Sequence, residues 1–237
     1  MKYVAPEKLK SEKTAYHGIE TMLPWVAKEG TLDRIIETHF PDSKYESMLD
    51  LGCGNGDLLL RLKNKFQNLY GADIVSYLNK SATEKIDFKI IDLNTEELPY
   101  GDRQFNLVTA FQVIEHLENP FLVMREIKRV LKPDGLFLFS VPNPYNLSFK
   151  IKFLFSDNMP PWTRENNHLL FFTKAVLEKT YGAEFELLKS IYQNGSVPFW
   201  GRLRKIFGRG VQKHLTILPR SKHFARRVCY VLRKRGQ

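Results

Sequence analysis

The stretch from Asp50 to Gly56, Asp-Leu-Gly-Cys-Gly-Asn-Gly, joins an apolar run to a helical pattern. The run before it, Met48 to Leu51, has the character of a buried strand, and apolar residues follow at the spacing of one helix face, at Leu58, Leu59, Leu62 and Phe66. Glycines lack the Cβ atoms that keep a ligand away from the backbone, and the first turn of a helix leaves N–H groups without partners. Open α/β sheets bind ligands at this edge. The stretch therefore predicts a strand, a tight turn and a helix that together hold a ligand.

Strands and helices alternate outward from this turn. Runs of strand character follow at 68–74, 87–93, 105–111 and 135–141, with helical patterns between them, and two helices are expected ahead of the first strand, at 22–30 and 31–40. After Pro142 a long, proline-rich stretch of irregular pattern leads to a further helix that begins at Thr173 and to two last strands, the final one at 224–235. This alternation predicts an α/β fold with a doubly wound, mostly parallel sheet and helices on both faces.

Composition limits the class of protein. The 237 residues are 43% hydrophobic and 26% charged, which is typical of a globular chain and excludes collagen, low-complexity disorder and a disulfide mini-scaffold. The two cysteines, Cys53 and Cys229, are too few for a cysteine-bound metal cluster and fit a reducing compartment. The first residues show no apolar leader, and no run is long enough to span a bilayer. We therefore expect a cytoplasmic location.

Charge is distributed unevenly along the chain. The net charge is +10, yet all 26 acidic residues lie at or before Glu186, whereas residues 187–237 carry 13 Lys and Arg and no acid. A basic section of this kind predicts an anionic partner, such as lipid head groups, nucleic acid or a phosphorylated substrate. A solvated basic face that aids solubility is the alternative.

Three classes of nucleotide ligand compete for the glycine turn. An ATPase-type phosphate loop needs a lysine followed by Ser or Thr after the second glycine, and none is present. A dinucleotide fingerprint needs Gly or Ala at position 57, where this chain has Asp57, whose carboxylate would repel a pyrophosphate. The third ligand, S-adenosylmethionine, carries a sulfonium and an ammonium group and no phosphate. Asp50, directly before the glycines, favours this cationic ligand.

Two further acids follow neighbouring strands. Asp73 ends the second predicted strand, about 20 residues after Gly52, where a carboxylate can accept hydrogen bonds from both ribose hydroxyls. Asp92 ends the third predicted strand, where it can accept from the adenine amino group. Each aspartate alone is equally typical of a turn or a helix cap. The set of three favours a nucleoside.

Five segments together resemble a known family. They are LDLGCGNGDLL (49–59), GADI (71–74), KIIDL (89–93), FQVIEHLENP (111–120) and LKPDGLFLFSVPNP (131–144). In this order and spacing, residues 45–193 resemble the class I S-adenosylmethionine-dependent methyltransferases, in the subgroup of the ubiquinone-type O-methyltransferases.

The resemblance implies a seven-stranded sheet in the order 3-2-1-4-5-7-6, with the last strand antiparallel. It also implies S-adenosylmethionine as the cofactor, with S-adenosylhomocysteine as the product. The residues expected to contact it are Asp50, Gly52, Gly54, Asp73, Ile74, Asp92, Leu93, Phe111 and Gln112.

Methyl transfer from a sulfonium depends mainly on positioning, to which a general base adds if the acceptor is a hydroxyl. His116 follows the fourth strand at the binding edge, and an imidazole suits proton removal at neutral pH. Glu115 is expected to orient His116 or to take part itself. The alternative is that both residues only brace the next helix.

A metal site is the less favoured interpretation of the same segment. Small-RNA 2′-O-methyltransferases, which this chain resembles here, have an E-x-x-E-H segment and a later histidine that bind a divalent ion. This chain could supply Glu115, His116 and His168, but it has the neutral, weaker ligand Gln112 at the first position. We therefore expect no metal.

The acceptor pocket is expected to combine the N-terminal helices with the long stretch after the fifth strand. Its candidate residues, each of which would also suit core or lid packing, are Tyr16, His17, Trp25, Tyr145, Trp162 and His168. The chain is accordingly divided into an N-terminal helical cap (1–44), the methyltransferase core (45–193) and a basic C-terminal section that includes the final strand (194–237).

The predicted function is methyl transfer, to an oxygen of a small molecule, a glycan or a lipid-linked precursor. We expect a peripheral contact between residues 195–237 and an anionic membrane, at the inner membrane surface. An RNA methyltransferase that uses the basic section, or a non-catalytic S-adenosylmethionine-binding module, are the alternatives. Nucleic acid is not favoured as a partner, because few aromatic residues accompany the basic charge.

Overall fold

One mixed sheet organises the chain. The computed structural model describes residues 23–42, 44–156, 159–162, 167–193 and 221–236. Within these residues seven strands form a sheet in the order β3-β2-β1-β4-β5-β7-β6, as the family resemblance implied. The strands are β1 (Tyr45–Leu51), β2 (Phe66–Asp73), β3 (Ile86–Ile90), β4 (Phe105–Phe111), β5 (Leu131–Pro142), β6 (Phe185–Tyr192) and β7 (Arg227–Lys234).

The first five strands run parallel, and β7 lies antiparallel between β5 and β6. The carboxyl ends of β1 to β5 therefore meet at one edge of the sheet. The glycine turn, Asp73 and the segment after β4 all follow strand ends at this edge, so residues that are distant in sequence become neighbours there.

Helices cover both faces of the sheet, as predicted. They are α1 (Trp25–Lys28), α2 (Thr31–His39), α3 (Asp57–Leu62), α4 (Lys80–Thr83), α5 (Pro120–Val130), α6 (Leu147–Ser156) and α7 (Lys174–Tyr181), with a 3₁₀ turn at Ile114–His116. The start of α7 confirms Thr173 as its N-cap, because the Thr173 side chain accepts from the Val176 N–H at 3.3 Å.

Strand side chains alternate between two cores because successive residues point to opposite faces. On one face Leu49, Phe137 and Phe139 pack with α5 and α7 residues such as Ile127 and Leu177. On the other face Met48, Leu107 and Leu138 pack beneath α1, α2 and α3. The helices ahead of the sheet therefore belong to the core and fix the face on which the glycine turn opens.

The structure corrects three local predictions. The third strand ends at Ile90, so Asp92 lies in the following loop rather than at the strand end. The helix expected after β2 is one turn long. The stretch predicted to be irregular after Pro142 contains the ten-residue helix α6, which carries apolar residues on more than one side. Among the described residues, no helix has the length and apolar character needed to cross a membrane.

Candidate cofactor and active site

The glycine turn is pinned against the end of β2. The Gly52 and Cys53 N–H groups both donate to the Ala72 carbonyl, at 2.7 and 3.2 Å. Gly52 and Gly54 have φ values of 66° and 54°, in the left-handed region that side chains disfavour. This conformation explains why the chain needs glycines here, and Gly52 remains exposed at the mouth of the turn.

Gly52 also meets the segment that follows β4. A Cβ atom built on Gly52 would lie 2.4 Å from the Val113 Cγ2 atom. A distance this short is a steric clash, so the first glycine allows the two loops to approach each other. The turn and the segment after β4 therefore form one cradle.

Asp50 is a buried carboxylate at the end of β1. It pairs in register with Thr109 of β4, and the Thr109 hydroxyl donates to its Oδ1 atom at 2.6 Å. Burial raises the pKa of Asp50 from 3.8 to about 7; the Thr109 hydrogen bond opposes this rise, and the negative charge of Asp73 adds to it. Sequence reasoning missed Thr109, although a polar residue within the apolar run of β4 was a usable signal.

Asp73 is held by backbone amides at the end of β2. Its two carboxylate oxygens accept from the Gly54 N–H at 3.0 Å and from the Ile74 N–H at 2.8 Å. Burial raises the pKa of Asp73, and the hydrogen bonds from the backbone oppose that rise. Each oxygen has a second lone pair, so the carboxylate can still accept from a ligand hydroxyl.

These two carboxylates fit a cationic ligand. Within the described residues neither Asp50 nor Asp73 forms an ion pair, and the charge of each disfavours the other. A buried and a half-buried acid without a counter-ion are unfavourable in the free protein. A sulfonium and an ammonium would supply the missing positive charge, whereas a pyrophosphate would add to the repulsion.

The other predicted cofactor residues lie at the same edge. Ile74 directly follows Asp73, and the Asp73 carbonyl accepts from the Ile91 N–H at 3.0 Å, which places the next loop beside it. Asp92 is half-buried and accepts from the Asn94 N–H at 3.0 Å, so one of its oxygens also shapes the loop. Leu93 is buried. The structure thus brings the predicted nucleoside residues to one edge of the sheet.

Gln112 adopts a strained backbone conformation directly after β4. Its φ is 59°, while its N–H donates to the Ser140 carbonyl at 3.0 Å and its side-chain amide donates to the Ser140 hydroxyl at 3.3 Å. Left-handed φ values at residues other than glycine are uncommon and concentrate at functional sites. The hydrogen bonds to Ser140 of β5 therefore hold Phe111 and Gln112, both half-buried, at the cradle.

Glu115 is fully buried in the 3₁₀ turn. Neither of its carboxylate oxygens has a hydrogen-bond partner within the described residues. Burial raises the pKa of Glu115 to about 8, and the positive charge of Arg227 opposes that rise. Its main-chain carbonyl accepts from the N–H groups of Leu169 and Leu170, at 2.8 and 3.1 Å, so the later loop docks onto this turn.

His116 and His168 form a pair of imidazoles beside Glu115. Their ring centroids lie 4.7 Å apart. The Nδ1 atom of His116 lies 3.1 Å from the Asn167 carbonyl, and that of His168 lies 2.8 Å from the Pro161 carbonyl. A carbonyl can only accept, so in each neutral ring Nδ1 carries the proton and Nε2 carries the basic lone pair. Burial lowers the pKa of both histidines, which keeps both rings neutral and basic at neutral pH.

Glu115, His116 and His168 place one potential ligand atom each within 4.8 Å of one another. A carboxylate and two imidazoles are ligand types that transition metals accept. Gln112, at the first position of the E-x-x-E-H pattern, instead directs its amide nitrogen to Ser140. The convergence of the three groups is a finding of the structure, and the absence of a metal stays a prediction.

The predicted acceptor residues lie in different surroundings. The Tyr145 hydroxyl accepts from the Lys174 N–H at 2.8 Å, and Trp162 donates its indole N–H to the Leu170 carbonyl at 2.7 Å, so Trp162 braces the loop that carries His168. Trp25 is buried in the core beneath α1 and α2. Tyr16 and His17 lie outside the described residues.

Comparisons with known proteins identify a methyltransferase domain in the chain. A methyltransferase domain family matches residues 49–139. An uncharacterized protein of Methanocaldococcus jannaschii is 34% identical over 125 residues, which cover 52% of this chain and 47% of that protein. A ubiquinone biosynthesis O-methyltransferase of Rickettsia typhi is 28% identical over 138 residues, 56% of either chain. The chain thus spans about half the length of these relatives.

Solved structures share the fold at low sequence identity. The [4+2]-cyclase SpnF superposes with a TM-score of 0.60 at 18% identity, over 91% of this chain and 85% of that one. An S-adenosylmethionine-dependent methyltransferase from Mesorhizobium loti has a TM-score of 0.54 at 14% identity, over 85% of this chain and 96% of that one. One of these two is described as a cyclase, which illustrates that a fold does not determine chemistry. Its matched domain, its strand order and its glycine turn together support a class I S-adenosylmethionine-dependent methyltransferase.

Proposed function

We propose that the chain transfers a methyl group from S-adenosylmethionine to an oxygen atom of a small molecule, a glycan or a lipid-linked precursor. The observation that carries this proposal is the pair of carboxylates at the glycine turn, the buried Asp50 and the half-buried Asp73, which lack a counter-ion among the described residues. Their charge selects a cationic donor.

The residues around His116 suit proton removal from a hydroxyl. The cofactor supplies an electrophilic methyl group whose bond to sulfur breaks as the bond to the acceptor oxygen forms. His116 takes the hydroxyl proton at Nε2, since its ring is neutral at neutral pH and its Nδ1 is oriented by the Asn167 carbonyl. Asp50 and Asp73 would attract the positive charge of the bound donor.

Glu115 is a positioning residue in this proposal. With a pKa of about 8 its carboxyl is largely protonated at pH 7, so it is a poor base there. It lies within reach of both imidazoles, and its main chain anchors the loop of His168. We assign it the role of holding the two histidines against the cradle.

The class of acceptor rests on two supports. One relative is described as an O-methyltransferase of ubiquinone biosynthesis, which acts on oxygen. Residues 187–237 carry 13 basic and no acidic side chains, which suits an anionic partner or surface. We include in the proposal a peripheral membrane contact by residues 195–237, of which the structure describes 221–236, and a cap formed by residues 1–44, of which it describes 23–42 and 44.

Calorimetry tests the cofactor directly. The protein is titrated with S-adenosylhomocysteine, NAD and ATP in parallel, and only the first is expected to bind. Transfer of labelled methyl to phenolic and quinol acceptors then tests the acceptor atom, with His116→Gln as the matched variant that should keep cofactor binding and lose transfer. Binding of NAD or ATP in place of S-adenosylhomocysteine would refute the proposal.

A further inference from the structure

Helix α6 exposes an apolar stripe that the described part of the fold does not cover. Phe149 faces the protein and is buried, whereas Leu147, Phe153, Leu154 and Phe155 are exposed, the last two to 75% and 82%; Phe153 lies beside Phe149 around the helix. At about 100° per residue, Leu147, Ile151, Leu154 and Phe155 form one stripe about 100° wide, on the side opposite Phe149. Exposed aromatic and aliphatic residues at these levels form a contact surface rather than scattered surface residues.

Basic side chains border this stripe. Lys150 and Lys152 flank it on the two sides of α6 and are both exposed. Lys222 lies just ahead of the helix, since Lys150 and Lys222 both approach the Tyr145 ring, at 5.5 and 5.9 Å, whereas Arg226 lies 6.0 Å from the Phe149 ring, on the side of α6 opposite the stripe. Residues 135–156 and 221–236 contain no acid. Within the described residues these four cations form no ion pair.

The start of α6 is firmly attached, so the stripe has a fixed orientation. Asn146 caps the helix by accepting from the Phe149 N–H at 3.2 Å, and its amide donates to the carbonyls of Phe224 and Ala225, at 3.0 Å each. The Leu147 N–H donates to the His223 carbonyl at 2.8 Å. The helix is therefore tied to the segment that enters β7.

We propose that α6 is an interfacial helix that docks the protein on an anionic lipid surface, with its apolar stripe in the acyl boundary and its basic border on the head groups. An apolar stripe flanked by lysines has the chemistry of helices that lie in the plane of a membrane. A second copy of the chain is a poor occupant because the same positive border would face itself. This proposed contact with lipid does not depend on the proposed methyl transfer.

The location of α6 connects this surface with the site. The helix begins five residues after β5 ends, at the edge of the sheet where the glycine turn and the segment after β4 lie. Docking through α6 would bring that edge close to the bilayer. If the proposed function holds, the acceptor is a lipid-soluble molecule taken from the membrane.

Vesicle flotation tests the inference on the full chain. Vesicles of equal parts phosphatidylcholine and phosphatidylglycerol are compared with pure phosphatidylcholine. The unaltered protein is expected to float with the anionic vesicles only, and high salt should weaken its binding. The double variant Leu154→Glu/Phe155→Glu should lose at least about tenfold in partitioning, since charge replaces its apolar contact.

The control is Phe121→Glu, which changes a phenylalanine that is 48% exposed on α5 and should float like the unaltered protein. Unchanged affinity for S-adenosylhomocysteine shows that each variant is folded. If the proposed function is wrong, this binding measurement fails while the flotation result is unaffected. The inference is overturned if the unaltered protein does not float, or if the α6 variant floats equally well. It is also overturned if neutralising Arg202, Arg204, Lys205 and Arg209 alone abolishes flotation while the α6 variant retains it, or if light scattering shows that the α6 variant converts a dimer into a monomer.

Discussion

Replacing Asp50 by asparagine should stabilise the free protein and weaken its binding of S-adenosylmethionine. In the free protein, burial places the pKa of this carboxyl near 7, against 3.8 for an ordinary aspartate. That difference corresponds to about 4 kcal/mol of lost stability at pH values above 7. Asparagine removes the charge but weakens the hydrogen bond from Thr109, which costs about 1–2 kcal/mol. The net expected gain at pH 8 is therefore about 2–3 kcal/mol.

The sign of the pH dependence follows from the raised pKa. The contribution of Asp50 to stability is fully present below the pKa of the unfolded chain, near 4, and is lost as pH rises to about 7. The advantage of Asp50→Asn should therefore be absent near pH 4, grow between about pH 4 and 7 and stay constant above that. Urea unfolding followed by tryptophan fluorescence at a series of pH values measures it.

The same substitution should have the opposite effect on ligand binding. A cation binds the ionised carboxylate, so the affinity of the unaltered protein should fall below pH 7, by up to about tenfold per pH unit, while the Asp50→Asn variant binds weakly at every pH. A charge pair at about 4 Å in a partly buried site is worth a few kcal/mol, so we expect the affinity measured by calorimetry at pH 8 to fall roughly 100-fold.

The matched control is Asp87→Asn, which changes a half-exposed surface aspartate and should change stability by less than about 0.5 kcal/mol. The reasoning is refuted if Asp50→Asn is less stable than the unaltered protein at pH 8, or if its advantage does not depend on pH.

Three further predictions follow from single contacts. Gly52→Ala should abolish S-adenosylhomocysteine binding in calorimetry, because its Cβ would lie 2.4 Å from Val113, whereas Gly101→Ala, with its nearest atom at 3.7 Å, should bind normally. His116→Gln should lower kcat by about 10²–10⁴-fold with the affinity for S-adenosylhomocysteine unchanged, and equal turnover would remove it from the mechanism. Asn143→Ala should destabilise the protein to urea by about 1–3 kcal/mol, since the buried amide donates to two carbonyls of the segment before β7, and a loss below about 0.5 kcal/mol would show that water replaces it.

The sequence predicted the fold well where patterns are local. The strand predicted at 105–111 is β4 with the same bounds, and the helix predicted to begin at Thr173 is α7, with Thr173 as its N-cap. Helix α6 was not predicted because its residues are apolar on two sides, one packed on the protein and the other exposed. Its apolar residues therefore do not recur at the spacing of a single helix face. Two prolines in the five residues before it also favoured a loop.

The candidate site was predicted in part. The glycines and aspartates of the site could be predicted from the sequence because each follows a strand, and parallel strands end at one edge of the sheet. The left-handed backbone conformation of Gln112 could not be predicted from its residue type, since a glutamine after a strand is not unusual. The neighbourhood of His116 and His168 depends on how a loop 50 residues later docks onto Glu115, and residue spacing does not encode that contact.

The position of Asp50 argues for selection by a ligand rather than by the fold. Its neighbours on β1, Leu49 and Leu51, are fully buried and apolar, and an apolar residue at position 50 would satisfy the same strand at no electrostatic cost. The single hydroxyl of Thr109 does not offset the loss of water, because the pKa of Asp50 remains near 7. A carboxylate kept in such a place needs a partner that arrives from outside the described fold, and the partner must be positive. Because the product of methyl transfer has lost the sulfonium charge, the same carboxylate should bind S-adenosylmethionine more tightly than S-adenosylhomocysteine, and Asp50→Asn should reduce that difference.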